Sequence, residues 1–526
     1  MARRPPHALL LACLLGAALS IAFAPGIYCS DDTRYVVGIY KLTNGIPLDL
    51  ITSAERRLWF LLPFAAVFHS TSGLAPLLLL ALLFHVALVA LTYRCARSLL
   101  PAPAAACAAF AVAVHPLLYV FAVALLPDLA SSLAILASVE ALLRWETAGR
   151  RPADLMRAGL FSGVSLCIKE SGAPLLLLFL PFLADRGPEA SPKTWLADVA
   201  RRYGWFVLGL LVVLAIDTVL FRVFTGRFHS SALLASTPPD FGPYLRDQGV
   251  LPWSRFATLA ALLRRFVPWS CVAPLVALAP LLGTGVPRER RRALAILVTF
   301  AVAPLLLFTF GTTSLHAYVP PVIQARYFAP VVAPGAIAVV AGLWWISPRP
   351  RIAIAASIAF VALVAVQGLA SNLATRGNVY ASAYKTSLAE ARADLGARYP
   401  GVPIVDAPGG RADLARCRKI LAEAPHLSDD LVRGRLVYDA AALAPPFIVL
   451  GPRGFMDLEH PFVARLRSGA GEGLWSPELV GSYAPAPAST AKPTDDAFAL
   501  EAVLFSAPPS SAPPSSAPPS SVPRSP

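Results

Sequence analysis

Long, nearly uninterrupted apolar runs dominate the first 370 residues of the chain. After a first run at about 8–24, they recur at roughly 73–93, 104–123, 127–145, 158–184, 203–224, 266–282, 293–311, 328–346 and 352–370. Most approach the ~20 residues that a helix needs to cross a ~30 Å hydrocarbon core. The pattern predicts an all-α polytopic membrane protein with about 9–11 transmembrane helices. A shorter run at 58–68 is typical of a helix at the membrane interface.

The pattern changes to that of a soluble domain after residue 370. Short elements follow, with helices at 381–397 and 411–424 and strands at 402–405 and 447–450. A membrane module at 1–370 is therefore predicted to precede a small C-terminal extracytoplasmic α/β domain at 371–505. The repeated Ser-Ala-Pro-Pro-Ser of 506–526 cannot build a core and predicts a disordered tail.

Composition supports the membrane class. Of the 526 residues, 56% are hydrophobic even without glycine, and only 14% are charged. In soluble domains, apolar residues make up roughly 45–50% of the sequence with glycine counted, and charged residues make up roughly 25%. The purely soluble, coiled-coil, collagen-like and disulfide-scaffold classes are therefore excluded. No basic patch carries interleaved aromatic residues, so no nucleic-acid partner is expected. The seven cysteines show no pairing pattern; a disulfide between Cys29 and Cys417, both assigned to the outside, stays open.

The net charge of +14 is read as a topology signal, because lysine and arginine collect in short cytoplasmic loops. The basic clusters between runs are Arg94 and Arg97; Arg144, Arg150, Arg151 and Arg157; Arg288 and 290–292; and Arg349 and Arg351. These clusters and the N-terminus are predicted to be cytoplasmic, with the first outer loop at 25–57 and residues 371–526 outside. The protein is thus expected to be a multi-pass protein of the cell membrane. A cleaved signal peptide ending near Ala24 is the alternative for the first run.

One conflict in the number of crossings leaves two alternatives. The basic clusters that flank 158–286 share a side and require an even number of crossings, yet three apolar runs lie between them. Either 158–184 forms a re-entrant hairpin, or part of 250–265 also crosses the membrane. Gly172 and Pro174 are natural helix breakers, and they favour the hairpin.

Acidic residues stand at two predicted outer positions. Asp31 and Asp32 follow the first helix closely, and a carboxylate beside a like charge at a membrane surface is suited to general-base work. The alternative is a solvated loop that ends a helix. Asp128 follows Pro127 at the outer start of the run at 127–145. It either caps that helix or faces the same cleft as the acidic pair.

Basic residues stand at two further positions within or beside the runs. Lys169 and Glu170 lie inside an apolar run, where ionisable residues are costly and usually functional; an internal Lys–Glu pair is the alternative. Arg326 and Tyr327 open a late run at its outer side. The arginine either extends to lipid headgroups or offers a donor fork to a phosphate. No metal-binding spacing is present, and a divalent cation stays a possibility.

The order of these motifs resembles the GT-C class of membrane glycosyltransferases, and within it the protein O-mannosyltransferase and lipid A aminoarabinose transferase branch. That branch carries an acidic pair and a tyrosine in the first outer loop, matched by Asp31, Asp32 and Tyr35. An acidic residue at the outer start of the fourth helix, a Gly-rich helix leading to a lysine, and an Arg-Tyr-x-x-Pro element are also typical. They are matched by Asp128, by Gly159 through Lys169, and by Arg326 through Pro330.

The resemblance implies a polyprenyl-phosphate-linked sugar as donor, a hydroxyl of a glycan, lipid or protein as acceptor, and an inverting single displacement. The resemblance implies Asp31 as the base, with Asp32 and Asp128 to orient the acceptor or help hold a divalent cation. It implies Arg326 and Lys169 as the residues that bind the donor phosphate. Donor and acceptor would be positioned by Arg34, Tyr35 and Tyr327. Many relatives have a Lys-Pro-Pro element late in the first loop. This chain has Arg56 and Arg57 there instead, and they are the substitutes considered.

A polytopic transporter or lipid flippase is the competing class. It would predict paired, discontinuous helices in two related halves. The sequence has one candidate helix break, in the run at 158–184, and no second half that matches it. Glycosyl transfer is therefore the favoured interpretation.

Overall fold

The computed structural model divides the chain into two compact units, residues 1–379 and 380–526. The residues that it describes are 7–23, 31–45, 48, 55–71, 74–169, 172, 176–184, 192–228, 251–266, 269–282, 286–311, 323, 325–374, 391–406, 445–452, 463, 466–468, 470, 476–483 and 500–507.

The first unit is helical. Its helices are α1 (His7–Ala22), α2 (Asp31–Thr43), α3 (Leu58–Thr71), α4 (Leu74–Arg97), α5 (Ala102–Ala113), α6 (Pro116–Phe121), α7 (Pro127–Thr147), α8 (Pro152–Ile168), α9 (Pro192–Thr225), α10 (Pro252–Phe266), α11 (Trp269–Leu282), α12 (Arg288–Phe310), α13 (Ala329–Ile346) and α14 (Pro350–Ala374). Short helical turns occur at Leu177–Phe179, Leu180–Leu183 and Ala325–Phe328.

Within the described residues, five helices are long and apolar enough to cross a membrane. They span Pro76–Arg97, Lys193–Thr225, Arg288–Phe310, Arg326–Ile346 and Pro350–Ala370. Three shorter apolar helices, α1, α3 and α5, accompany them. The predicted all-α membrane fold is confirmed.

Helix α2 lies where the sequence predicts only an outer loop. Four of its residues, Tyr35, Val36, Ile39 and Tyr40, repeat at three- and four-residue spacing and are buried. This apolar stripe packs against α3. The segment at 25–57 therefore contains a packed helix, because a short amphipathic stripe is stabilised by the neighbour it covers.

The basic clusters that the sequence places on one side do lie together. Glu140 of α7 accepts two hydrogen bonds of 3.0 Å from Arg94 and pairs with Arg144 at 2.6 Å. Glu146, the penultimate residue of α7, pairs with Arg292 in the first turns of α12 at 2.9 Å. These ion pairs join three of the clusters at one end of the helical unit, called here the arginine end. Its assignment to the cytoplasm remains a prediction.

The chain doubles back after α8. Lys169 forms an ion pair with Asp128 in the first turn of α7. Farther along, the carbonyl of Phe182 accepts a hydrogen bond of 3.0 Å from Arg292, which also pairs with Glu146 near the other end of α7. The 21-residue α7 is about 30 Å long, so Lys169 and Phe182 lie at its opposite ends. These contacts support the re-entrant hairpin.

The hairpin agrees with the predicted even number of crossings. Helix α9 starts near the arginine end, where Arg202 packs on Trp145, and reaches the Lys169 end, where Asp217 lies near Cys167. Arg255, early in α10, donates to the carbonyl of Thr309 at the last turn of α12. Helix α10 therefore begins at the end that α9 reaches. If α9 and α11 are the two crossings, as the apolar runs predict, none is needed over 250–265.

Serine hydroxyls hold α7 and α8 together. Ser131 and Ser165 lie 2.9 Å apart, and Ser138 and Ser162 lie 2.7 Å apart, all buried. Hydrogen bonds between helices are a common stabilising contact in an apolar environment. They fix the register that brings the start of α7 to the end of α8.

Helices α8 and α9 approach to backbone contact. A Cβ atom on Gly159 would lie 1.9 Å from the carbonyl oxygen of Phe206, and one on Gly209 would lie 2.1 Å from that of Met156. Small residues permit such close packing between membrane helices. The Gly-rich part of the sequence motif thus has a packing role.

Gly159→Ala is expected to lower the melting temperature of the purified protein in detergent. An added Cβ must displace backbone, and overpacking typically costs about 1–3 kcal/mol. Gly204→Ala on α9 is the control, because no atom lies within 4 Å of its Cβ position. Since alanine favours helix by roughly 0.5–1 kcal/mol over glycine, Gly204→Ala should hold or raise the melting temperature. Equal effects of the two changes would contradict the close-packing argument.

The second unit contains a four-stranded sheet. Its strands are β1 (Ile404–Asp406), β2 (Phe447–Pro452), β3 (Ser476–Tyr483) and β4 (Leu500–Ser506), in the order β1-β2-β4-β3. Strand β1 is parallel to β2, and the other neighbours are antiparallel. The rings of the paired residues Phe447 and Phe505 stack in its core at 5.0 Å.

The predicted α/β character of this unit is confirmed. Strands β1 and β2 overlap the strands predicted at 402–405 and 447–450, whereas β3 and β4 were not predicted. Helical residues at 391–398 coincide with part of the helix predicted at 381–397. The helix predicted at 411–424 lies outside the described residues.

Candidate active site

A buried ion pair lies at the centre of the polar residues at the Lys169 end of the helical unit. Lys169 directly follows α8, and its Nζ donates to Oδ1 of Asp128 in the first turn of α7. The two side chains are only 8% and 2% exposed, so each charge depends on the other for its stability. The second carboxylate oxygen, Oδ2 of Asp128, is buried and has no hydrogen-bond partner among the described residues.

The short turn before α13 adds a second cation. Nζ of Lys169 lies 4.2 Å from the centre of the Tyr327 ring, and the Arg326 guanidinium carbon lies 5.7 Å from the same ring. An aromatic face attracts cations, so the ring holds both groups close together. The charge of Arg326 also acts on the Lys169 ammonium group.

A third cation comes from the segment before α3. Arg57 is buried, and its Nη1 donates a hydrogen bond to the hydroxyl of Tyr35 on α2. Tyr35 is itself fully buried, with its ring 5.0 Å from that of Phe60. The charge of Arg57 also acts on Lys169. Tyr35 therefore fixes the position of Arg57 rather than facing solvent.

A second buried ion pair supports this arrangement. Nζ of Lys41 on α2 lies 2.7 Å from Oε1 of Glu55, and both side chains are buried. Glu55 stands two residues before Arg57. The ion pair therefore holds the segment that carries Arg57 against α2. Sequence reasoning missed it, since nothing in the pattern connects two charges within a predicted loop.

Another missed group is Asp217, which is fully buried within α9 and lies near Cys167. A sequence signal was available in this case. Asp217 is an ionisable residue inside a long apolar run, and that position alone marks a residue of interest in a membrane helix.

The structure thus brings together side chains that the sequence predicted separately. They are Asp128, Lys169, Arg57, Tyr35, Arg326 and Tyr327. Arg56 is half-buried beside Arg57. Asp31 and Asp32 open α2, but their side chains and that of Arg34 lie outside the described part, as do Cys29 and Cys417.

One structural interpretation from the sequence needs correction. Asp128 was weighed as a helix cap, but Leu126 occupies the cap position of α7 and no side chain caps it. Asp128 instead pairs with Lys169. The alternative of a Lys169–Glu170 pair involves Glu170, which lies outside the described residues.

Among the described residues of this site, positive charge exceeds negative charge. Three cations, Lys169, Arg57 and Arg326, meet one described carboxylate, that of Asp128. Such an excess in a poorly hydrated place favours an anionic ligand, and guanidinium forks suit phosphate oxygens. Among the residues that the structure describes, no group of three His, Cys, Asp or Glu side chains could hold a metal ion.

Sequence comparison relates part of the chain to a known family. Residues 57–221 match the model of the family described as dolichyl-phosphate-mannose-protein mannosyltransferase. The predicted resemblance to the GT-C class, in its mannosyltransferase and ArnT-like branch, is confirmed, and the chain has the fold of that class. Comparison with curated proteins gives no match.

Two solved structures illustrate the likeness. ArnT from Cupriavidus metallidurans, bound to undecaprenyl phosphate, is 14% identical; the match covers 94% of this chain and 97% of that one, with a TM-score of 0.54. The oligosaccharyltransferase AglB from Archaeoglobus fulgidus, in complex with an inhibitory peptide and a dolichol-phosphate, is 13% identical. That match covers 92% and 74%, with a TM-score of 0.46.

Proposed function

We propose that this chain is an integral membrane glycosyltransferase. It moves a sugar from a polyprenyl-phosphate donor to a hydroxyl of a glycan, lipid or protein on the outer face of the membrane. The observation that carries the proposal is the grouping of Lys169 and Arg326 on the Tyr327 ring with Arg57 nearby; Lys169 and Arg57 are buried, and Arg326 is half-buried. The undecaprenyl phosphate bound to ArnT and the lipid phosphate in the name of the matching family support a lipid-linked donor.

The three cations would bind the donor phosphate and stabilise the negative charge that develops on it as the leaving group. When the bond between the anomeric carbon and the phosphate oxygen breaks, the electron pair stays on that oxygen. Lys169 and the guanidinium groups of Arg57 and Arg326 meet the charge that develops there, and fixed charges in a water-poor site are effective at this task. The phosphate leaves as an anion, so no general acid is required.

The acidic pair would act on the other substrate. Asp31 accepts the proton of the acceptor hydroxyl as its oxygen attacks the anomeric carbon, opposite the departing phosphate. A single displacement of this kind inverts the anomeric centre. Asp32 orients the acceptor from the same first turn of α2. Asp128 holds Lys169 through Oδ1, while its unpartnered Oδ2 can accept a hydrogen bond from a substrate hydroxyl.

Arg57→Gln is expected to weaken binding of undecaprenyl phosphate by about 10- to 100-fold, because a hydrogen bond to a charged group is worth about 1.5–3 kcal/mol. Binding is measured on the purified full-length protein, with uncharged undecaprenol as the matched ligand. Affinity for undecaprenol should not change. Tyr35→Phe, which keeps the guanidinium but removes its hydrogen-bond acceptor, should cause a smaller loss.

Equal affinity of the wild type for the phosphate and the alcohol would overturn the phosphate assignment. A transport assay in proteoliposomes separates the competing class. Movement of the labelled lipid across the bilayer, without transfer of sugar to any supplied acceptor, would favour a flippase over a glycosyltransferase.

A further inference from the structure

Two guanidinium groups lie on one tryptophan at the arginine end. The Arg150 guanidinium carbon lies 5.2 Å from the centre of the Trp145 ring, and that of Arg202 lies 5.5 Å from it. Trp145 belongs to the last turns of α7 and is only 2% exposed, whereas Arg150 is exposed and Arg202 on α9 is half-buried. Both guanidinium groups thus lie within 5.5 Å of the centre of the same ring.

The backbone after α7 directs Arg150 towards the ring. Gly149 and Arg150 both adopt the left-handed conformation, with φ of 92° and 56°. Arg150 N–H donates a hydrogen bond of 3.1 Å to the carbonyl of Trp145. Arg150 is the sole described residue other than glycine with positive φ. That conformation is unfavourable for a residue with a Cβ, and such strain is retained mainly where function depends on it.

Four carboxylates of this region form ion pairs with arginines other than Arg150. Glu140 pairs with Arg94 and Arg144, Glu146 with Arg292, Asp154 with Arg157, and Asp198 with Arg201. Among the described residues, no acidic side chain pairs with Arg150. The arginine end therefore keeps an excess of positive charge at an exposed guanidinium.

Apolar side chains adjoin this charge. Leu196, Trp205 and Leu208 project from α9 on either side of Arg202 and are 58%, 37% and 44% exposed. A basic group near exposed apolar side chains matches a molecule with an anionic head and apolar chains. A free anion would make no contact with those apolar side chains.

We propose that Arg150 and Arg202, held on Trp145, bind the phosphate of an anionic phospholipid headgroup, with the acyl chains along α9. Guanidinium forks bind phosphate oxygens in pairs, and basic pockets between membrane helices on the cytoplasmic side bind anionic headgroups. Tryptophan is enriched at the depth where headgroups lie. The site is separate from the donor site, because about 25 Å of α7 lies between Trp145 and Asp128.

Occupation of this site would also stabilise the re-entrant hairpin. Arg202 donates to the carbonyl of Leu183, and Arg292 donates to that of Phe182, so the returning arm of the hairpin is held by the same arginine end. A lipid phosphate that fixes Arg202 in place favours this folded arrangement over its opening.

The test measures the melting temperature of the full-length protein in detergent with added phosphatidylglycerol, phosphatidylcholine or inorganic phosphate. Phosphatidylglycerol should raise it by about 2–4 °C, and the other two should not. Arg150→Gln should abolish the rise. Arg150→Gly should do the same without backbone strain, because glycine accepts positive φ. Native mass spectrometry should show one retained phosphatidylglycerol on the wild type and none on these variants.

Arg201→Gln is the matched control. Arg201 neighbours Arg202 on α9, is exposed and pairs with Asp198, so its replacement changes the net charge equally. It should retain the response to phosphatidylglycerol. Equal loss in Arg201→Gln and Arg150→Gln would reduce the effect to general surface charge and overturn the proposal. An equal rise with inorganic phosphate, or with phosphatidylcholine, would also overturn it.

Discussion

Asp31→Asn is expected to slow sugar transfer by about 10²–10⁴-fold, the usual effect of losing a positioned general base. Asparagine keeps the size and hydrogen-bonding capacity of aspartate but cannot take up the acceptor proton. Asp31 opens α2, where loss of a negative charge costs only about 0.3–1 kcal/mol, so the variant should still fold. The measurement is transfer from a labelled polyprenyl-phosphate sugar in proteoliposomes, normalised to folded protein.

Asp32→Asn is the neighbouring control, and it should be milder because its carboxylate orients the acceptor without taking the proton. If Asp31→Asn retained more than a third of wild-type turnover while Asp32→Asn lost activity, the role of general base would be assigned to Asp32 instead of Asp31. Full activity in both variants and in Asp128→Asn would refute the glycosyltransferase proposal and favour a transporter.

Lys169→Met is expected to reduce both stability and transfer. It leaves the Asp128 carboxylate charged and buried without its partner, and breaking a buried pair in this way typically costs about 3–5 kcal/mol. It also removes the ammonium group assigned to the donor phosphate. Melting temperature in detergent and transfer in proteoliposomes are measured on the same preparation.

The double variant Lys169→Met, Asp128→Asn separates these two effects. With both partners neutral, the melting temperature should recover most of the loss, while transfer should stay low because the phosphate has lost a cation. Recovery of transfer along with stability would show that Lys169 serves the fold alone. Arg326→Gln provides a comparison that removes another of the converging cations and leaves the Lys169–Asp128 pair in place.

The membrane fold could be predicted because apolar length is a local property of the sequence. The runs at 73–93, 203–224 and 352–370 correspond to long apolar helices. Helix α2 could not be predicted, because its short buried stripe gains stability only by packing on α3. The hairpin was one of two alternatives. The basic clusters required an even number of membrane crossings, which both alternatives satisfy. Contacts such as that of Phe182 with Arg292 support the hairpin.

Most residues of the candidate site could be predicted from the sequence, but the contacts between them could not. Lys169 and Arg326 were recognised because charge inside or at the edge of an apolar run is costly without a role. The pairing of Lys169 with Asp128 depends on the register of α7 against α8, which serine hydroxyls set within the folded unit. The bond between Arg57 and Tyr35 likewise depends on the packing of α2 against α3, which only the folded unit establishes.

The backbone contact between α8 and α9 determines which parts of the candidate site can move. Gly159 and Gly209 leave no clearance, so these helices cannot slide or rotate against each other without collision. Tyr35 with Arg57, and Tyr327 with Lys169, meet through side chains alone, and such contacts can separate by changes of rotamer. Motion that admits a bulky lipid-linked substrate, on the microsecond-to-millisecond scale of collective motions, should therefore arise at α2, α3 and the turn before α13, while α8 and α9 stay fixed.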